Sequence, residues 1–141
     1  MGATFSDFLH DTKYDDLPEE VRAFARRWLL DLVGVAAGGC QTGLSRIIRD
    51  HAAAQFGAGS KSARMLFDGR TVSPAGAALA GGMTIDALDG HDGHKLTKGH
   101  VGCGIFPALL AMSEAEDQTD GAEFLTALAI GYEIGTRAGL A

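Results

Sequence analysis

Paired cysteines are missing from this chain, which has two cysteines among 141 residues. Cys40 and Cys103 lie far apart and form no C-x-x-C motif, so the sequence indicates neither a disulfide framework nor a dithiol redox site. We expect both to be reduced, partly buried thiols.

Long apolar runs and an excess of basic residues are also missing. No stretch approaches the roughly 20 apolar residues that a membrane span requires, and nothing resembles a signal peptide. The formal net charge of -6 argues against nucleic-acid binding, which needs lysine and arginine clustered on one face, and against attraction to anionic membranes. We therefore expect a cytoplasmic protein with no nucleic-acid or membrane partner.

Familiar catalytic signatures are absent as well. The sequence has no G-x-S-x-G elbow, no Walker lysine and no H-E-x-x-H pair. It has no βαβ alternation and no internal repeat, and Gly102-x-Gly104 follows a polar loop instead of a strand, so it is not a dinucleotide fingerprint. With 46% hydrophobic and 21% charged residues, the chain is typical of one folded domain over residues 1–141.

Apolar residues recur at helical spacing through most of the chain, which predicts a mostly helical, all-α fold. The clearest pattern covers residues 19–37 and predicts an amphipathic helix that packs Phe24, Trp28 and Leu32 against other helices. Ala63 to Phe67 fits a short strand or an extended loop. Further helices are predicted at Phe5–Leu9, Leu44–Phe56, the small-residue segment Ala75–Leu88, Ile105–Ala115, and Gly121–Leu140 with Thr119 or Asp120 as its cap.

One polar stretch is dense in reactive side chains. Three of the five histidines fall within the string D-G-H-D-G-H-K-L-T-K-G-H, from Asp89 to His100. Imidazole exchanges protons near neutral pH and a nearby carboxylate can orient the ring, so the stretch suits acid–base chemistry. Lys95 and Lys98 add positive charge, and Gly102-Cys103-Gly104 precedes a helix whose first amides can face an anion. This combination favours a carboxylate ligand.

Other interpretations of this stretch stay open. It can be a solvated connection in which the aspartates cap helices and the histidines are incidental. It can bind zinc or another divalent ion through His91, His94, His100 and an aspartate, although H-x-x-H-x(5)-H matches no strong metal signature. Cys103 can be a nucleophile at a helix start, or simply a small residue near a tight turn.

Three segments occur in an order that matches a known family. Leu17 to Val35 looks like a long first helix, Ala87 to Ala111 looks like an Asp/His loop and the next helix, and Gly131-Tyr132-Glu133-Ile134 with Arg137 looks like a later helix. In this order and spacing, essentially the whole chain resembles the MmgE/PrpD superfamily. Its members include 2-methylcitrate dehydratase, cis-aconitate decarboxylase and iminodisuccinate epimerase. Val101 departs from the pattern, because many members have proline after the histidine.

The resemblance implies a helical domain with an active-site aspartate and histidine, which a smaller α/β lid domain completes. Asp89 and His100 match as the catalytic positions, although the gap between them is one residue longer than in the decarboxylase branch. His100 is expected to be an acid–base or carboxylate-binding group, and Asp89 to orient the substrate or a histidine. The family chemistry needs no metal and no organic cofactor. The expected substrate-binding residues are Asp92, His91, His94, Lys95, Thr97 and Lys98.

The resemblance also implies a function. We expect a lyase-like protein that acts on small polycarboxylates by dehydration, decarboxylation or isomerisation through proton transfer, and that forms a homodimer. The family's later catalytic groups and its lid would fall beyond Ala141, so we expect a partial helical domain, from a fragment or truncated paralogue, with little turnover of its own. The alternative is a non-catalytic helical domain that binds a partner or forms a dimer.

Overall fold

A computed structural model of the chain describes residues 4–141. This part of the chain forms six α-helices, a 3-10 turn at Tyr14–Asp16 and one two-stranded antiparallel sheet, which confirms the predicted mostly helical fold. Among these residues, no helix is both long and apolar enough to cross a membrane. The elements are α1 (Phe5–Asp11), α2 (Glu19–Gly39), α3 (Gly43–Gln55), β1 (Ala63–Arg64), β2 (Thr71–Val72), α4 (Pro74–Asp86), α5 (Val101–Ala115) and α6 (Gly121–Leu140).

Helix α2 follows the predicted pattern with one error. Leu32 is fully buried in a cluster with side chains of α4, α5 and α6, and Trp28 packs against the same cluster. Phe24 was predicted to lie against other helices, but its side chain is 47% exposed. Phe24 precedes the buried Ala25 by one residue, which corresponds to a rotation of about 100° around the helix axis. Its side chain therefore lies at the edge of the apolar stripe. There its ring stacks on Trp28, with 5.9 Å between ring centroids.

The sequence predicted that helix α5 begins at Ile105, but it begins at Val101. The prediction was wrong because Gly102 and Gly104 are typical of loops, whereas both lie in the first turn of this helix. The side chain of Asp92 stabilises the early start, since its Oδ2 atom accepts a hydrogen bond from the Gly102 amide at 3.2 Å. A carboxylate at this end also complements the helix dipole.

Helices α4 and α5 pack closely because α4 is rich in small residues. The segment from Ala75 to Leu88 was predicted to lie in the interior, and one face of it does, whereas Leu79 and Leu88 are exposed. A Cβ atom on Gly81 would lie 2.6 Å from the Cβ of Pro107, and one on Gly82 would lie 3.0 Å from the carbonyl oxygen of Cys103. Pro107 has no N–H, so it leaves that carbonyl without its usual helical donor. The close contact brings Asp86, the last residue of α4, near the first turn of α5.

The segment from Ala63 to Phe67, for which a short strand or an extended loop was predicted, contributes a strand of two residues, Ala63–Arg64, to a small hairpin. Ala63 pairs with Val72 and Arg64 with Thr71, on either side of the Asp68-Gly69 turn. Met65 and Val72 bury their side chains in a cluster with α3, α4 and α5, which attaches the hairpin to the helices.

A buried hydroxyl pair joins α3 to α4. The Oγ of Ser45 and the Oγ1 of Thr84 are 2.6 Å apart, and both residues are fully buried. We expect Ser45→Ala alone to lower the free energy of unfolding by about 1–3 kcal/mol, because it leaves the Thr84 hydroxyl buried without this partner. The double variant Ser45→Ala/Thr84→Val is expected to lose less than the sum of the two single variants, as measured by urea denaturation. Strict additivity would contradict the coupling.

Candidate functional site

The connection between α4 and α5 carries the predicted site and is ordered by its own hydrogen bonds. The amide of His94 donates to the carbonyl of Gly99 at 3.0 Å, and the amide of Lys98 donates back to the His94 carbonyl at 2.8 Å. Nδ1 of His94 accepts from the Thr97 amide at 3.3 Å, which requires that ring nitrogen to be unprotonated. Asp89 and Lys98 adopt positive φ angles of 46° and 52°, so the chain turns sharply at both.

Asp89 and His100, the two predicted catalytic residues, meet in this loop. Nε2 of His100 is 3.2 Å from Oδ1 of Asp89. The aspartate side chain is 83% exposed and the imidazole is partly exposed. His100 stands at the N-cap position of α5, where its backbone is extended. The exposed carboxylate can therefore orient the imidazole through Nε2, while Nδ1, the other ring nitrogen, is buried and has no hydrogen-bond partner within residues 4–141.

His91 lies behind His100 and not at the surface. The two imidazole rings are 4.3 Å apart between centroids, with their planes tilted by 40°. The side chain of His91 has no solvent exposure, and neither of its ring nitrogens has a hydrogen-bond partner within residues 4–141. Its nearest carboxylate oxygen is Oδ1 of Asp86, 3.8 Å from Nε2. His91 was predicted to bind substrate; the structure buries its side chain behind His100, and its role in substrate binding stays a prediction.

The thiol of Cys103 lies close to this buried histidine. One ligand atom each from Asp86, His91 and Cys103 lies within 4.8 Å of the other two. Burial raises the pKa of the Cys103 thiol, and the negative charges of Asp86 and Asp92 raise it further. The thiol also points to the His100 carbonyl, with its sulfur 3.1 Å from that oxygen. A thiol held in its protonated form is a poor nucleophile, so this environment disfavours a nucleophilic role.

Asp92 points inward, toward the hydroxyl group of Tyr132, which was not among the predicted site residues. A Cβ atom on Gly102 would stand 2.1 Å from the hydroxyl oxygen of Tyr132 and 2.8 Å from Oδ1 of Asp92, so both oxygens converge on this glycine. Both oxygens are buried and lack a hydrogen-bond partner in the described part of the chain. Burial and the adjacent Asp92 carboxylate raise the pKa of Tyr132. Its ring stacks on Trp28, 4.3 Å between centroids.

Two cavities border different parts of the loop. The larger, of about 480 Å³, is mostly apolar and includes Asp92, His94, Trp28 and Tyr132 in its wall. The other, of about 360 Å³, lies over the contact between α4 and α5. Its polar wall residues are Asp86, His100 and Cys103.

The remaining predicted residues stay predictions. Lys95 and Lys98 are exposed, and neither forms an ion pair with any residue between 4 and 141. Thr97 is partly buried and donates its hydroxyl hydrogen to the His94 carbonyl at 3.3 Å. The structure thus leaves both lysine side chains available to an anionic ligand and uses Thr97 to order the loop.

The alternative of a metal site had grouped His91, His94 and His100 with an aspartate, because these residues are close in the sequence. In the structure, the ligand-type side chains that lie together are those of Asp86, His91 and Cys103. Asp86 and Cys103 lie at facing ends of two helices, so the fold and not the spacing brings them together. The small residues of α4 indicated in the sequence that α4 packs closely on α5. They did not show which residues of the two helices lie opposite each other.

The fold and the site together define a class of protein: a helical domain in which the connection between α4 and α5 presents an Asp–His pair. The sequence model of the MmgE/PrpD N-terminal domain matches residues 3–141, and the chain belongs to this family. The chain is similar to the cis-aconitate decarboxylase-like protein oryM of Aspergillus oryzae, with 26% identity over 151 residues. That match covers 100% of this chain and 30% of the relative's length. The predicted resemblance is confirmed.

Proposed function

We propose that this chain carries part of the site of a lyase-like enzyme that acts on small polycarboxylates, and that Asp89 and His100 perform its proton transfer. The observation that carries the proposal is the 3.2 Å contact between His100 Nε2 and the exposed Asp89 carboxylate, on a loop held by helices. Family membership and the decarboxylase-like relative support a lyase reaction.

The chemistry would be proton transfer at a carbon atom next to a carboxylate group. In this proposal Asp89 orients the imidazole, and His100 exchanges the proton with the substrate. Lys95 and Lys98, both exposed on the same loop, attract the substrate's carboxylates. Since the chain spans 30% of the relative's length, we propose that groups from elsewhere in a longer protein, including a lid that excludes water, complete the reaction.

A non-catalytic helical domain that binds a second copy of itself is the second candidate. It is favoured by large apolar side chains that are open to solvent on α2 and α3, since Leu30 is 75% and Ile47 65% exposed. For either candidate we propose a cytoplasmic location, because Cys40 and Cys103 are both free thiols and reduced thiols are typical of that compartment.

A thermal-shift screen with citrate, cis-aconitate and related acids tests the first candidate against the second. A ligand that binds only the folded chain stabilises it by about 2.7 kcal/mol at 100 times its Kd. For a chain of this size, that corresponds to a rise in Tm of about 5–10 °C. We expect this rise for polycarboxylates but not for acetate. It is expected to disappear in His100→Ala and to persist in His51→Ala, an exposed histidine on α3. The absence of any saturable rise would favour the second candidate.

A further inference from the structure

We propose that Asp86, His91 and Cys103 bind a zinc ion in a site next to the Asp89–His100 pair. The three side chains come from the end of α4, the connecting loop and the first turn of α5. Their ligand atoms all lie within 4.8 Å of one another. This site goes beyond the proposed proton transfer and does not depend on it.

The state of His91 is the first argument for a ligand. Its side chain is completely buried, and no residue from 4 to 141 satisfies either of its ring nitrogens. A buried polar group without a partner costs roughly 1–3 kcal/mol, so folded proteins rarely keep one without a reason. Nε2 points toward Asp86, whose Oδ1 is 3.8 Å away, too far for a hydrogen bond. A metal ion between these two atoms would be bound by Nε2 of His91 and by Oδ1 of Asp86.

The distances agree with tetrahedral coordination after a small contraction. Zinc lies about 2.3 Å from thiolate sulfur and about 2.0–2.2 Å from imidazole nitrogen or carboxylate oxygen, so tetrahedral ligand atoms are roughly 3.3–3.6 Å apart. The Asp86–His91 separation of 3.8 Å is already close to this range. The remaining separations, at most 4.8 Å, need a shift of about 1 Å. Rotation of the partly exposed Asp86 side chain can shorten its separation from Cys103, and rotation of the Cys103 side chain would have to shorten the separation between its sulfur and His91.

The mixture of donors selects zinc among the common divalent ions. Calcium and magnesium prefer oxygen ligands, whereas a thiolate, an imidazole and a carboxylate together are typical of zinc. Three protein ligands leave a fourth position for water or a substrate. Asp86 and Cys103 also line the 360 Å³ cavity over α4 and α5, which gives an ion a path from solvent, and His100 lines the same cavity.

Binding must release a proton. The Cys103 thiol is protonated in the absence of metal, because burial and neighbouring carboxylates raise its pKa. Zinc binds the thiolate, so the S–H bond breaks, the sulfur lone pair forms the Zn–S bond and the proton leaves to solvent. The affinity for zinc is therefore expected to fall as the pH is lowered.

Metal binding to the purified, chelator-treated chain tests the site without any measurement of turnover. We expect one zinc per chain by isothermal titration calorimetry, with proton release visible as a dependence of the heat on the buffer. With cobalt(II) in place of zinc, we expect a thiolate-to-cobalt charge-transfer absorption. His91→Ala and Cys103→Ser are expected to weaken zinc binding at least about 100-fold, since loss of an outer-shell partner alone costs 10–100-fold.

Two matched variants serve as controls. Cys40→Ser removes the other free cysteine and His51→Ala an exposed histidine, and both are expected to keep zinc affinity and the cobalt band. Circular dichroism checks that each variant is folded, and Cys103→Ser, which changes one atom, stands in if His91→Ala is unfolded. Absence of stoichiometric zinc binding by the parent chain would overturn the proposal. So would a cobalt band that persists in Cys103→Ser and disappears in Cys40→Ser.

Discussion

Gly102→Ala is expected to lower the free energy of unfolding by about 3 kcal/mol or more, the upper part of the range for overpacked cores. The new Cβ would stand 2.1 Å from the Tyr132 hydroxyl oxygen, 2.8 Å from Oδ1 of Asp92 and 2.9 Å from a methyl group of Leu32. These atoms belong to α6, to the loop between α4 and α5, and to α2, so no single side-chain rotation relieves all of the contacts. Alanine is otherwise the better helix former, so a large loss measures the clash and not the helix propensity.

Gly104→Ala is the matched control for this prediction. Gly104 lies in the same first turn of α5, and a Cβ there would meet nothing within 4 Å. We expect it to stabilise the chain by about 0.5–1 kcal/mol. Adding Tyr132→Phe to Gly102→Ala removes the nearest oxygen and is expected to recover part of the loss. Equal stabilities for Gly102→Ala and Gly104→Ala in urea denaturation would contradict the convergence of Asp92 and Tyr132 on Gly102.

His100→Ala is expected to lower the rate at least about 100-fold in a full-length relative, or in a fusion that carries this segment, while the protein stays folded. The reason is that positioned acid–base groups contribute about 10²–10⁴-fold, and His100 is the partly exposed histidine in contact with Asp89. Turnover on 2-methylcitrate and cis-aconitate, measured for variants whose helicity has been confirmed, provides the test.

His94→Ala is the comparison variant, because Nδ1 of His94 is occupied by the Thr97 amide. We expect it to cost less than His100→Ala, and the same holds for His91→Ala if the zinc is not used in turnover. Near-normal activity of the His100 variant, together with a collapse of the His94 variant, would show that the longer loop has shifted the register. If all three histidine variants lose activity and zinc restores the chelated parent, the metal takes part in the reaction.

Helix positions were predictable because a buried stripe repeats at a fixed spacing. Leu32 is the clearest example, and α6 begins and ends where the sequence pattern predicted, with Asp120 as its cap through hydrogen bonds to two amides. Periodicity failed at two places. Phe24 is apolar like the residues of the buried stripe but points to its edge, and the start of α5 depends on a hydrogen bond from the Gly102 amide to Asp92, ten residues earlier in the preceding loop.

The candidate site was only partly predictable for a similar reason. Asp89 and His100 could be found because they lie on one loop and match a family pattern, and the structure brings them together. Asp86 and Cys103 could not be grouped with His91, since this requires the register between α4 and α5. Sequence proximity also suggested that all three loop histidines face one ligand. Backbone turns separate them, with His91 inside the fold and His94 beside a different cavity from His100.

Positions 81 and 107 share a single volume, because the ring of Pro107 occupies the space that a side chain on Gly81 would need. In homologous sequences these two positions are therefore expected to vary as a pair, with a larger residue at one accompanied by a smaller residue at the other. Cys103 and Asp86 flank this contact, so a relative that exchanges the pair would also shift the spacing of the zinc ligands. Substitutions at positions 81 and 107, which bind no metal themselves, can thus remove the metal site without changing any of its ligands.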